Sequence, residues 1–200
     1  MKIVDINALE KIATDIRKGI LTAVYSAQSG HPGGSFSCAD ILTVLYFNVM
    51  NIDPKDPQSP SRDRFVLSKG HCSPALYATL ARRGFFAESD LATFRKIDSP
   101  LQGHPDKNKV PGVDMTTGSL GQGLSVACGM AYASKLDRAG CRVYCLLGDG
   151  ELDEGQVWEA CLTTSKYKLD NLCVIVDNNH LQIDGTIEEV AGMKHIYEKF

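Results

Sequence analysis

Two hundred residues make enough chain for one ordinary globular domain, or for half of something larger. Apolar residues at 44% and charged residues at 22% exclude collagen-like, mucin-like and intrinsically disordered chains. With 24 acidic against 21 basic residues the formal charge is -3 and no basic block occurs, so nucleic acid and anionic membranes have no electrostatic footprint and a small-molecule partner is expected. No apolar run approaches the ~20 residues that span a bilayer, and the charged start MKIVDINALEKIATDIRKGI carries no secretory pattern. Seven scattered cysteines (Cys38, Cys72, Cys128, Cys141, Cys145, Cys161, Cys173) form no CxxC pair, so they are expected as buried small hydrophobes rather than as a disulfide framework or a zinc site. These features together lead to the expectation of a cytoplasmic protein.

In chain order, Leu9, Ile12, Ala13, Ile16, Ile20 and Val24 recur at three- and four-residue spacing, which predicts an amphipathic helix to about Ala27 that stops at SGHPGG. A second apolar helix is expected from Ala39 to Val49, followed by the proline-rich surface loop IDPKDPQSPSRDR. Phe65–Ser68 reads as a short buried strand, helical spacing resumes from Pro74 to Arg82, and a short helix is expected near Ser89–Ile97. Asp98–Met115 has little pattern, and an irregular loop of that length with a histidine in it is expected to be functional. A small-residue helix is expected to open at Gly118 and run to about Leu136, with Ala127, Gly129, Ala131 and Ala133 packed closely on a sheet. Arg142–Leu147 is the next expected strand, with Cys141 and Cys145 on one face; a helix carrying Val157, Ala160, Cys161 and Thr164 follows, then a strand at Leu172–Val176. Strands alternating with helices predict right-handed crossovers and hence an α/β fold, a parallel sheet with helices on both faces.

Ligands of open α/β sheets bind beyond the carboxyl ends of the strands. Gly148-Asp149-Gly150 and Asp177-Asn178-Asn179 end successive strands, so they are expected side by side. Asp149 with an Asn179 side-chain oxygen suits magnesium, which takes one or two protein carboxylates together with phosphate oxygens and water. The flanking glycines allow a sharp turn and close approach to a diphosphate, and Glu154 at the start of the next helix is favoured by its dipole. Alone, GDG is more simply a tight turn; paired with NN on the following strand it is far more specific. Any one loop histidine is more simply structural, yet His31, His71 and His104 each follow a glycine at an element boundary, and imidazole is the natural proton carrier near neutral pH. His180 and His195 lack that context and are expected at the surface. Trp158 is expected in the core. Lys69 is expected in solvent, with a phosphate as its other reading.

GDG followed by NN at this spacing resembles the diphosphate signature of thiamine-diphosphate enzymes. SGHPGG (Ser29–Gly34), DRFVLSKGH (Asp63–His71), GHPD (Gly103–Asp106), PGVDMTTGSLGQGLS (Pro111–Ser125) and GDGELDEG through LQIDG together resemble, in order and over nearly the whole chain, the amino-terminal diphosphate-binding domain of transketolases. The resemblance implies thiamine diphosphate and Mg2+ as cofactors, with Asp149, Asn179 and the main-chain oxygen of Leu181 on the metal and Gly150 by the diphosphate. It implies Gly118 and Leu120, with Ser119 between them, at the thiazolium, and His31, His71 and His104 as catalytic residues near substrate and cofactor, His71 also binding the cofactor. Glu154 matches the acidic position that meets a cofactor-activating glutamate of a partner domain. The implied reaction is transfer of a two-carbon ketol unit from a ketose phosphate to an aldose phosphate, as in the pentose phosphate pathway.

The activating glutamate and its pyrimidine-binding domain are not among the matched residues. Activity is therefore expected only with such a domain or a C-terminal subunit, in a dimer or heterotetramer. Residues 1–200 are expected to form one diphosphate-binding domain, incomplete at its C-terminus. Dihydroxyacetone synthase is a close alternative, whereas deoxyxylulose-phosphate synthase lacks segments like LSKGH and GHPD. A non-catalytic transketolase-like binding or regulatory subunit is the remaining alternative, against which the presence of Asp149, Asn179 and the three histidines speaks.

Overall fold

The computed structural model describes residues 5–191 and 196–199, so the expectation for His195 lies outside the described residues. Helix α1 (Ile6–Ala27) is capped by Asp5, whose carboxylate accepts the Asn7 N–H at 3.1 Å, and it buries Ile12, Ala13, Ile16, Ile20 and Ala23 along one stripe. It ends at Gln28, as the spacing predicts. A six-residue helix, α2 (Pro32–Ser37), then starts where the sequence suggests only a stop. Proline at the first helical turn has no N–H to lose and a φ already suited to the helix, so SGHPGG ends one helix and begins another. Helix α3 (Ala39–Val44) widens into a π-helical turn over Leu45–Val49.

Strands β1 (Arg64–Leu67), β2 (Val143–Gly148) and β3 (Leu172–Asp177) form a parallel sheet in the order β1-β2-β3. Their side chains alternate between two cores. Phe65, Leu67, Tyr144 and Leu146 pack with α1, α3 and α4 (Ser73–Arg83). Val66, Val143, Cys145 and Leu147 pack with α5 (Gln122–Leu136) and α6 (Gly155–Lys166) on the other face. Helices on both faces explain the nearly continuous apolar runs of β1 and β2. Ile16, Ile20, Leu67 and Leu146 are under 2% exposed, and full burial of each contributes about 1.5–3 kcal/mol. Leu172–Val176 of the edge strand stay half-buried. A small antiparallel pair, β4 (Leu181–Gln182) and β5 (Gly185–Thr186), leads into α7 (Ile187–Val190), which carries a Thr186–Glu189 capping box, and α8 (Ile196–Lys199) ends the described residues.

Several expectations are corrected. Helix α5 begins at Gln122 rather than Gly118, because Gly121 at φ +81° turns the chain first. Ala127 and Ala131 face the sheet, but Gly129 and Ala133 are exposed. Strand β2 starts at Val143, so Cys141 lies outside it and donates its thiol to Ser134. The segment near Ser89–Ile97 is a 3-10 helix over Glu88–Thr93. Trp158 is half-buried, its indole Nε1 donating to the Leu152 carbonyl at 2.9 Å. Five cysteines are buried, while Cys161 and Cys173 are half-buried. No helix among the described residues is long and apolar enough to cross a membrane.

Candidate functional site

The two oxygen-rich turns meet as expected. Gly148 lies opposite Asp177 in the β2–β3 register, and the Asp149 N–H donates to the Asp177 carbonyl at 3.3 Å. Asp149 is 1% exposed. Its Oδ1 accepts the Gly150 N–H at 2.9 Å and its Oδ2 the His180 N–H at 2.6 Å, so one carboxylate joins both turns. His180 itself is exposed, as expected, and serves through its main chain, held at φ 62°. The Asn179 side-chain oxygen accepts the Leu181 N–H at 2.9 Å. Glycine at 150 leaves room for Gln182, whose Cγ would sit 2.7 Å from a methyl group there.

Beside this turn the side-chain oxygens of Asn178 and Gln182 are buried without a hydrogen-bond partner. Buried acceptors left unmet are costly, so two of them next to a lone carboxylate suit a site completed by a ligand. Among the described residues no three His, Cys, Asp or Glu side chains converge as a metal cluster. The donors here are instead one carboxylate with amide and main-chain oxygens, a hard set that fits a divalent cation sharing phosphate oxygens.

Lys69 overturns its expectation of a solvated side chain. It is 2% exposed, and its Nζ lies 2.6 Å from Asp177 Oδ2 and 3.2 Å from the Gly34 carbonyl. Ser37 donates to the other Asp177 oxygen at 2.6 Å. The trio ties α2 and the end of β1 to the end of β3. Burial opposes charge on this ammonium, yet Cys72, Cys38 and Asp177 outweigh it and raise its pKa.

Glu151 is a functional-site residue that the motif reading leaves without a role. It is 3% exposed; its Oε1 accepts the Gly121 N–H at 2.9 Å and the Ser68 hydroxyl, and its Oε2 accepts the Gly148 N–H at 3.1 Å. One buried carboxylate thus braces the ends of β1 and β2 and the turn before α5. Its sequence signal is slight, an acidic residue directly after GDG.

The three histidines come together across four segments. The rings of His31 and His71 meet edge to face with centroids 5.2 Å apart. Gly70 packs on Thr117 and Gly118, where a methyl group would lie 2.8 Å from the Gly118 nitrogen, and a methyl group on Gly118 would meet the His104 ring at 3.2 Å. The His104 loop is held from below: the Ser73 hydroxyl donates to the Gly103 carbonyl at 2.8 Å, and the buried Tyr77 hydroxyl lies 2.9 Å from the Gln102 carbonyl. His31 and His104 are exposed and His71 half-buried.

Loss of hydration, then the neighbouring His71, lowers the pKa of His31 below 6.5; loss of hydration, then Arg95 and His71, does the same for His104. Both shifts favour the neutral ring, the form able to accept a proton. Cys72 is buried, as expected of the cysteines. Its hydrogen bond with Cys38, then His71 and Lys69, lower its pKa against the opposing effect of burial.

Ser119 and Leu120 stand exposed on the turn before α5, beside a cavity of about 280 Å³ lined by Met115 to Ser119. Glu154 is exposed at the N-cap of α6 without a capping bond, and a methyl group on Gly121 would lie 2.6 Å from its Cβ. A cavity of about 580 Å³ lined by Phe86, Ile97 and Pro111 among others has none of the three histidines in its wall.

Residues 8–200 match the family described as transketolase, thiamine diphosphate binding domain. The chain belongs to the transketolase family. One subunit of the apulose-4-phosphate transketolase of Phocaeicola vulgatus is 46% identical over 195 residues, which cover 98% of this chain and 69% of that subunit. Human transketolase is 53% identical over 177 residues, covering 88% of this chain and 28% of the human protein. The solved transketolase of Campylobacter jejuni superposes with a TM-score of 0.90 at 37% identity, over 98% of this chain and 32% of that one. The chain thus spans a third or less of these long transketolases and about two thirds of the bacterial subunit. Both the α/β architecture and the family expected from the motifs are borne out.

Proposed function

We propose that this chain binds magnesium thiamine diphosphate and, with a pyrimidine-binding domain or subunit, transfers a two-carbon ketol unit from a ketose phosphate to an aldose phosphate. The observation that carries the reading is the pairing of the Asp149 and Asn179 turns at the ends of adjacent strands, next to a cluster of three histidines. When bound, thiamine diphosphate supplies the nucleophilic carbon that carries the two-carbon unit. In this reading Asp149, the Asn179 amide oxygen and the Leu181 carbonyl hold the metal, and Gly150 gives the diphosphate close approach. Gly118, Ser119 and Leu120 line the thiazolium side, kept in place by Glu151. His31, His71 and His104 orient substrate hydroxyls and move protons at them. Glu154 stands where a partner's glutamate is met.

The match of nearly all of this chain to one subunit of a transketolase supports a heteromeric enzyme, a dimer or heterotetramer, with the activating glutamate on the other chain. Scattered cysteines without a pairing framework suit a reducing compartment, so the setting we propose is the cytoplasm. Calorimetry of thiamine diphosphate binding to the assembled protein tests the reading. Chelation of magnesium, or Asp149→Ala, is expected to weaken binding by more than about 100-fold, above what outer-shell changes cost metal sites. Affinity unchanged in both sinks the assignment.

A further inference from the structure

Arg95 follows the 3-10 helix Glu88–Thr93 in the left-handed region, at φ 59°, unusual for a residue with a long side chain. Its N–H donates to the Leu101 carbonyl at 2.8 Å. Its guanidinium donates from Nη1 to the Ser29 hydroxyl at 2.7 Å and stacks over Phe94, 5.6 Å from the ring centroid. It also lies flat against Gly103, where a methyl group would approach Nη2 to 2.8 Å and Nε to 2.9 Å. Ser29 is two residues before His31, and Gly103 is the residue before His104. Phe94 extends the contact, since a methyl group on Gly30 would sit 3.2 Å from its Cε1, and its ring meets Tyr77 with centroids 6.1 Å apart. One strained residue and its neighbour therefore touch both histidine-bearing turns.

Among the described residues no carboxylate lies within ion-pair distance of Arg95. Its charge is thus left uncompensated on the histidine side. His31 faces His71 and Cys72 from the β1–α4 connection, Arg95, and His104; His104 faces Arg95 and His71. Asp106, on the His104 loop, is turned to Lys109 at 3.8 Å. Strain kept at such a place points to a function that needs the conformation.

We propose that Arg95 is a positioning residue of the ketol-transfer site, whose side chain clamps the Ser29–His31 turn to the Gly103–His104 turn and keeps a fixed positive charge against both imidazoles. The inference rests on the transketolase reading above. The planar fork spans two partners that a lysine ammonium cannot span together. A neutral imidazole is the form that takes a proton from a substrate hydroxyl, so the same residue holds the place of two rings and adds to the loss of hydration that favours their neutral form.

The test uses the full-length protein with carbon-13 at histidine Cε1, and separately the assembled enzyme. In Arg95→Gln the His104 titration is expected to rise by on the order of half a pH unit, the size of an exposed like-charge effect, and that of His31 to rise by less. The acid limb of donor kcat/KM should move up with them. Arg95→Lys is expected to leave the titrations near those of the parent while donor kcat/KM falls by about 10-fold or more, because the fork is lost. Ser29→Ala, which removes a single tether, should fall less. Titrations and donor kinetics unmoved in Arg95→Gln and Arg95→Lys overturn the clamp and leave the transketolase reading standing. Titrations that move in an enzyme with no ketol transfer at all overturn that reading instead.

Discussion

At the carboxyl ends of β2 and β3 the polar side chains are buried and tied to one another, whereas His31 and His104 stand on turns open to solvent beside the half-buried His71. Asp149, Glu151 and Asp177 are each under 7% exposed and accept main-chain or buried side-chain donors. His31 and His104 are exposed, and their loops are fastened from outside by Tyr77, Ser73 and Arg95. A rigid, dehydrated end suits an anion that stays bound through many turnovers. The open end suits substrates that come and go. Damage to the first end should therefore read out in stability and cofactor affinity, and damage to the second in donor kinetics.

The largest effect that separates the two ends is expected from His104→Ala. Donor kcat/KM should drop by about 10²–10⁴-fold, the usual contribution of a placed acid–base group. Cofactor affinity, measured by calorimetry on the same variant, should hardly change. A variant that loses the cofactor while keeping donor kinetics under saturating cofactor would assign His104 to the buried end instead.

Lys69→Met attacks the buried end. Removing one partner of a buried ion pair leaves Asp177 uncompensated and is expected to cost about 3–5 kcal/mol in urea unfolding. Adding Asp177→Asn should recover part of that loss, since no lone charge remains. A loss below about 1 kcal/mol in the single variant would show that the pair is not what joins α2 to the sheet.

Glu151→Gln sharpens the comparison with a smaller effect. An amide has one acceptor oxygen in place of two, so one of the Ser68, Gly121 or Gly148 donors is left unmet, at about 1–3 kcal/mol. The melting temperature should fall by roughly 2–4 °C per kcal/mol for a chain of this size. A variant as stable as the parent would remove Glu151 from the bracing role.

What the sequence discloses is what repeats locally or stands in a motif. The stripe of Ile12, Ile16 and Ile20 foretells α1, and GDG with NN foretells which turns meet, because both signals lie within short windows. Lys69 misleads because its partner is 108 residues away, and no local feature marks a buried ammonium. Helix α2 is hidden since two glycines argue against a helix there, yet packing against α4 and the Ser37–Asp177 bond override that propensity. Arg95 is silent for the same kind of reason: its left-handed backbone follows from contacts to Ser29 and Gly103, segments that only the fold brings together.

The bonds that close the buried end join residues far apart in the order of synthesis. Ser68 meets Glu151 across 83 positions, Lys69 meets Asp177 across 108, and Ser37 meets Asp177 across 140. Closing such long loops is entropically unfavourable until the contacts offset it, and parallel pairing of this range is slow. A chain still leaving the ribosome can make the hydrogen bonds within α1 and α4 early, because those are local. Lys69 cannot meet Asp177 until residue 177 has emerged. The turns proposed to hold the cofactor are accordingly expected to close only when β3 docks.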